Sequence, residues 1–261
     1  MMMLSINKLA FGYPNHHVGQ DVTLTVNLGE VLCLLGPNGS GKTTLFKTIA
    51  QLIKAQDGFI TIQGENIAHW TRQRIAQALA YVPQQHDAYF PFTVLEVVLM
   101  GRNARIGLFS SPSNHDREIA HRVLASLNID YLSDAIYTRI SGGERQLTLI
   151  ARALAQETNI LVLDEPTANL DFGNQVLVLN SIRRLSREGI TIVMSTHEPD
   201  HAFQVASRVA MLKHGRIVGV GEPKDVITQE SLLDLYGVAV SIVELNGVHR
   251  PPIKLCVPKF D

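Results

Sequence analysis

A chain of 261 residues, 46% hydrophobic and 18% charged, has room for one large domain or a core with a subdomain, and is too apolar to be globally disordered. Its 23 basic residues against 24 acidic ones give a formal net charge of -1, so the molecule as a whole does not attract nucleic acid or anionic lipid and any phosphate site must be local. Two cysteines, Cys33 and Cys256, cannot build a disulfide framework, and Cys33 lies in an apolar run that suits a reduced, buried thiol.

The N-terminal MMMLSINKLAF lacks the basic segment and long apolar stretch of a signal peptide, and no run approaches the roughly 18 to 20 apolar residues of a spanning helix. Membrane association is therefore expected only through a partner. Alternation over Leu4, Ser5, Ile6 and Asn7, with segments 22–26 and 58–62, predicts a small, partly antiparallel β layer. Val31–Leu35 predicts a buried strand leading into a Gly-rich run, followed by a helix over 44–51. Between about 86 and 157 strand signals vanish. Helical spacing over 94–100, 116–127 and 142–155, with turn chemistry over 109–114, predicts an inserted helical subdomain. Strands return at Ile160–Leu163, before an acidic pair, and at 190–195, before a histidine. The alternation predicts a parallel α/β sheet with its working residues at strand ends. Beyond Gly221 one short helix over 225–236 and a strand-like tail are expected, and His16 and His17 read as a surface loop pair.

Gly36, Pro37, Asn38, Gly39, Ser40, Gly41, Lys42 and Thr43 fit G-x-x-x-x-G-K-[ST], between a strand and a helix as that motif requires. Its glycines allow a nest of backbone N–H groups facing phosphate oxygens, reinforced by the positive end of the next helix. Lys42 would then neutralise the β and γ phosphates, Thr43 would hold Mg²⁺, and Thr44 would add a hydroxyl near the α phosphate. The plainer alternative is a Gly-rich turn with an exposed lysine. Asp164 and Glu165 end an apolar strand. Because strand side chains alternate faces, the two need not point the same way and can take different jobs, Asp164 reaching Mg²⁺ directly or through water and Glu165 polarising the water that attacks the γ phosphate; alone, such a pair serves equally well as a solvated acidic turn or a helix cap. Ser141 followed by Glu144 fits a capping box, which leaves the intervening Gly142 and Gly143 unexplained. His197, Glu198 and His201 spell the H-E-x-x-H zinc motif, but Pro199 prevents the continuous helix that would put both histidines on one face.

Taken in order, GPNGSGKTT, ISGGERQ, LVLDEP, the stretch Ala168, Asn169, Leu170, Asp171, and His197 after a strand resemble the ATP-binding subunits of ABC transporters over nearly the whole chain. The resemblance implies an α/β fold: a RecA-like P-loop NTPase core with an antiparallel β subdomain (1–85 and 158–221), an inserted α-helical signature subdomain (86–157) and a short C-terminal extension (222–261). It implies a head-to-tail homodimer with two ATP molecules between subunits, each γ phosphate meeting the Gly-rich loop of one chain and Ser141, Gly142 and Gly143 of the other. It further implies that Tyr13 stacks on adenine, Gln84 senses Mg²⁺ and the attacking water, Asp171 acts across the dimer, and His197 holds the γ phosphate and the water of Glu165. Where the family most often has Gln this chain has Glu144, an acid that must point away from a triphosphate.

The stretch FPFTVLEVVLMGR, residues 90–102, resembles that of importers for iron chelates, haem and cobalamin, with molybdate or tungstate importers close by. In that family this region faces the coupling helix of a polytopic membrane permease. The resemblance thus implies an ATPase bound through the permease at the cytoplasmic face of the membrane and served indirectly by an exported substrate-binding protein, with no nucleic-acid partner. The tail is too short for the regulatory domain of sugar importers. Repair-type relatives would need a long coiled-coil insertion between Lys42 and Ser141, where no heptads run, and translation-type relatives a second ATPase domain.

Overall fold

The chain opens with an antiparallel hairpin of β1 (Met2–Tyr13), which buries Met3, Leu4, Ser5 and Ile6 in succession, and β2 (His16–Asn27), whose later residues alternate buried and exposed. The computed structural model describes residues 1–84, 90–106, 110–245 and 253–259. Residues 86–89 of the predicted helical insertion, Phe109 of its predicted turn, and 246–252 and 260–261 of the tail lie outside them. After the hairpin come β3 (Val31–Leu35), α1 (Lys42–Ile49), β4 (Asp57–Ile62), the two-residue β5 (Glu65–Asn66), α2 (Arg72–Ala78) and β6 (Leu79–Val82). Three helices follow: α3 (Val94–Leu99), α4 (Asn114–Ser126) and α5 (Gly142–Leu154), joined in part by short 3₁₀ turns. The chain then alternates again through β7 (Ile160–Leu163), α6 (Phe172–Arg187), β8 (Thr191–Thr196), α7 (Pro199–Val205), β9 (Arg208–Lys213) and β10 (Arg216–Gly221). It ends in α8 (Pro223–Val226), α9 (Gln229–Tyr236), β11 (Val240–Leu245) and β12 (Ile253–Pro258).

The central sheet has the order β10-β9-β3-β8-β7-β6, parallel from β9 to β6 with β10 antiparallel at one edge. Every residue of β3 is buried, because both faces of the sheet are covered. Val31, Cys33 and Leu35 join a core with α3 to α7, while Leu32 and Leu34 join a second core with α1 and the antiparallel sheet β2-β1-β4-β5. Burial pushes the Cys33 thiol up to about 12, partly offset by the Lys42 charge, so it is a protonated, inert side chain.

Helices α3, α4 and α5 each start at a reciprocal capping box: Thr93 with Glu96, Ser113 with Asp116, and Ser141 with Glu144. Each cap contributes about 1 kcal/mol. Arg102 ties the insertion together, with Nε donating to Asp116 Oδ1 (2.9 Å) and Nη1 to the Ala155 carbonyl (2.7 Å) and Glu157 Oε2 (2.8 Å).

Two expectations are corrected. The single helix expected over 225–236 is two, because Thr228 takes an extended conformation and caps α9 by accepting from the Ser231 N–H (3.1 Å). His16 and His17 belong to strand β2, paired with Tyr13 and Gly12, since the hairpin turn takes only Pro14 and Asn15.

Candidate active site

The carboxyl ends of β3, β7 and β8, three adjacent parallel strands, gather the polar residues that the sequence singles out. After β3 the loop turns at Gly39 and Gly41, with φ of +80° and +105°, in the left-handed region where an L side chain is strained. Gly41 is the N-cap of α1, so the helix starts with its free N–H groups toward the loop. Ser40 Oγ is buried and has no hydrogen-bond partner among the described residues. An orphaned hydroxyl in a left-handed loop at a helix start suits a ligand rich in acceptor oxygens. Asn38 is exposed, Thr43 half-buried, and Thr44 buried with its carbonyl accepting from the Thr48 hydroxyl (2.8 Å).

Lys42 is buried, and its ammonium reaches three acceptors: the carbonyls of Gly36 (2.8 Å) and Pro37 (3.1 Å) and Glu165 Oε1 (3.1 Å). Glu165 is a second hub. Its Oε2 accepts from Gln84 Nε2 (3.0 Å) and lies 3.2 Å from His197 Nδ1. The His197 backbone is held by Tyr236, whose hydroxyl donates to the His197 carbonyl (2.9 Å). Lys42, Gln84 and His197, from three separate stretches of chain, thus converge on the Glu165 carboxylate.

The two acids have different partners, and the reason lies past the end of the strand rather than in strand alternation. Strand β7 ends at Leu163, and Glu165 has φ of +46°, so a left-handed residue just past the strand turns its side chain toward Lys42. Asp164 is fully buried, with Ser195 Oγ donating to Oδ1 (2.7 Å) and the Tyr81 hydroxyl to Oδ2 (3.2 Å). Burial, then the Asp164 charge, pushes the Tyr81 hydroxyl far above its ordinary range, so it remains a donor. Ser195 and Tyr81 escape notice in the sequence because each follows apolar residues of a strand; the available signal was a hydroxyl in a strand whose residues are mostly buried.

A second group lies around α5 and α6. Ser141 and Gly142 are exposed at the start of α5. Gly143 is buried, and a Cβ on it would lie 2.0 Å from Asn174 Oδ1, so packing against α6 is reason enough for that glycine. Asp171 caps α6, accepting from the Asn174 N–H (2.9 Å) and side-chain amide (2.8 Å). Glu144 is held by the Ser141 N–H (2.8 Å) and the Tyr131 hydroxyl (3.0 Å), and the Ser141 hydroxyl first, then its N–H, keep the carboxyl below the usual range. Among the described residues no hydrogen bond or ion pair joins this group to the Lys42 and Glu165 cluster. Tyr13 is exposed at the end of β1, its carbonyl accepting from Gln56 Nε2 (3.1 Å).

The zinc-motif geometry is broken where Pro199 begins α7. Glu198 is extended, His197 precedes the helix, and His201 is buried inside it beside Thr167 Oγ1 (3.2 Å). Among the described residues no group of three or more His, Cys, Asp or Glu is arranged to hold a metal, and no helix is long and apolar enough to cross a membrane.

Residues 19–168 match the ABC transporter family. The chain is 35% identical to the petrobactin import ATP-binding protein FpuC of Bacillus anthracis, over 95% of this chain and 91% of that protein. It is 34% identical to the molybdate import ATP-binding protein MolC of Haemophilus influenzae, over 89% and 87%. Among solved structures it resembles an inward-facing conformation of a putative metal-chelate type ABC transporter, with a TM-score of 0.89 and 31% identity over 100% of this chain and 98% of the other.

Proposed function

This chain belongs to the ABC transporter family as the ATPase subunit of an importer, a nucleotide-using partner of a membrane permease, and from that premise we propose how its residues divide the work. Residues 1–85 and 158–221 form the ATP-binding core with its β layer, 86–157 the signature subdomain, and 222–261 an extension. The Gly36 to Thr44 loop cradles the phosphates, a reading supported by the orphaned Ser40 hydroxyl and the left-handed Gly39 and Gly41. The hydroxyl of Thr43, the carboxylate of Asp164 and the amide oxygen of Gln84 are the hard oxygen donors that would hold Mg²⁺, which would supply positive charge to the phosphates.

The observation that carries this proposal is the shared hold on Glu165. The three protons of Lys42 are matched by Gly36 O, Pro37 O and Glu165 Oε1, so an arriving γ phosphate must take over one of them. The two carbonyls are part of the loop, and the carboxylate is the partner that gives way. Once Lys42 turns to phosphate, Oε1 is released while Gln84 and His197 keep Oε2 in place. The freed oxygen then accepts a proton from the attacking water. Until that moment the carboxylate is held by the group that awaits the substrate.

Ser141, Gly142 and Asp171, exposed and unconnected to this cluster, together with the exposed Tyr13, support a head-to-tail homodimer in which ATP joins the cluster of one chain to the second group of the other. Phe90 and Phe92 are exposed ahead of α3, whose Val94, Val97, Val98 and Leu99 are buried, so this corner offers aromatic surface to a permease at the cytoplasmic face of the membrane. The cargo is a metal chelate, delivered by an exported binding protein, a reading supported by the petrobactin relative and the metal-chelate transporter. Molybdate is the second reading, on the strength of MolC.

Glu165→Gln tests the assignment. Hydrolysis should fall by about two orders of magnitude or more while ATP still binds and a dimer appears on size exclusion. Turnover at the native rate would remove Glu165 from the base role.

A further inference from the structure

Parallel strands β7 and β8 pair in register up to Leu163 opposite Met194. One residue further the ladder changes character. The Asp164 N–H still reaches the Val82 carbonyl of β6 (2.9 Å), but on the other side the Glu165 N–H donates to a side chain, Ser195 Oγ (2.9 Å). The same hydroxyl gives its only proton to Asp164 Oδ1 (2.7 Å). Ser195 is fully buried, so no water competes for either bond. Asp164 therefore has one carboxylate oxygen fixed from β8 by Ser195 and the other from β6 by Tyr81.

We propose that Ser195 is a positioning residue for hydrolysis: through one hydroxyl it orients the Asp164 carboxylate and pins the left-handed backbone from which Glu165 reaches its partners, with Tyr81 as the second support of Asp164. The inference rests on the roles proposed above for Asp164 and Glu165. A backbone rung could not do the same work, because it would hold Glu165 in strand geometry and leave Asp164 Oδ1 bare. A hydroxyl both accepts from the one residue and donates to the other, so the two acids move as a unit with the end of β8, where His197 also starts.

The test compares Ser195→Ala, Ser195→Thr and Ser195→Val in the full chain, with Tyr81→Phe alongside. Thr and Val have the same shape and differ in the hydroxyl, so the added methyl cancels between them. Ser195→Val should have a kcat about tenfold to a hundredfold below Ser195→Thr, with KM changed less than about twofold, because the lost hydrogen bonds involve a charged group and a backbone donor that contact no substrate. Independently of turnover, ATP affinity in EDTA should be the same for both, while the gain in affinity on adding Mg²⁺ should be about fivefold smaller in the Val variant. Ser195→Ala should follow Val, and Tyr81→Phe should shift the same two readouts by a smaller factor. Equal kcat and equal Mg²⁺ gain in the Thr and Val variants would overturn the proposal. If no Ser195 variant folds, an unchanged Mg²⁺ gain and kcat in Tyr81→Phe overturns the two-sided hold on Asp164, and a reduced gain upholds it. The underlying reading fails separately: Glu165→Gln with native turnover would remove the acid being positioned, whatever the Ser195 variants do.

Discussion

Two buried ion pairs of nearly equal burial do opposite things in this molecule. Lys42 and Glu165 at the strand ends have side chains 4% and 7% exposed, and Arg102 and Asp116 in the helical insertion 5% and 11%. Arg102 is matched by acceptors that belong to the scaffold alone, namely Asp116, which caps α4, the last-turn carbonyl at Ala155, and Glu157. Nothing there is left to exchange. Glu165 stands on left-handed backbone, Lys42 follows the left-handed Gly41 beside a hydroxyl with no partner among the described residues, and Glu165 is shared with an exposed glutamine and a half-exposed histidine. Burial makes a charge pair consequential; what surrounds it decides whether it is a fastening or a contact to be handed over.

The largest test of this contrast is Arg102→Ala. It leaves Asp116 buried without its counter-ion and the Ala155 carbonyl without its donor, at a cost of about 3–5 kcal/mol in chemical denaturation, with ATP affinity of the folded protein unchanged. A loss as small as a surface pair's would end the reading of Arg102 as the fastening. Lys42→Ala should do the reverse. ATP binding should drop at least about tenfold, while stability falls by less than about 2 kcal/mol, because Glu165 keeps Gln84 and His197. Native ATP affinity in that variant would refute the phosphate cradle.

The smallest effect is expected from acid. The Ser113 hydroxyl first, then Arg102, hold the Asp116 carboxyl down at about 2, against an ordinary value of 3.8. A carboxylate lowered by folding contributes its stability above the ordinary value and loses it as pH falls through the folded one. Wild-type melting temperature should therefore decline between about pH 4 and 2 more steeply than that of Asp116→Asn. Parallel curves would show that Asp116 does not carry this dependence.

The same contrast explains what could be read from the chain itself. The Gly-rich loop and the acid pair are legible because each is a local arrangement, a few consecutive residues after a strand. Arg102 is not, since its partners lie 14, 53 and 55 residues away and no spacing rule links them. Ser195 and Tyr81 are concealed by the apolar strand residues that precede them. Gly143 needed Asn174 on another helix before its lack of a side chain had a structural reason. The break at Thr228 was hidden because residues on either side of it keep helical spacing, and a threonine there reads as interior until its extended conformation is seen.

Equilibrium ATP binding to the wild type and to Glu165→Gln measures the handover most directly. If phosphate must draw Lys42 away from a buried carboxylate, the neutral amide should let ATP bind several-fold more tightly even though hydrolysis is slowed by about two orders of magnitude or more. Equal or weaker binding by Glu165→Gln would mean that the hold of Glu165 on Lys42 does not compete with the nucleotide.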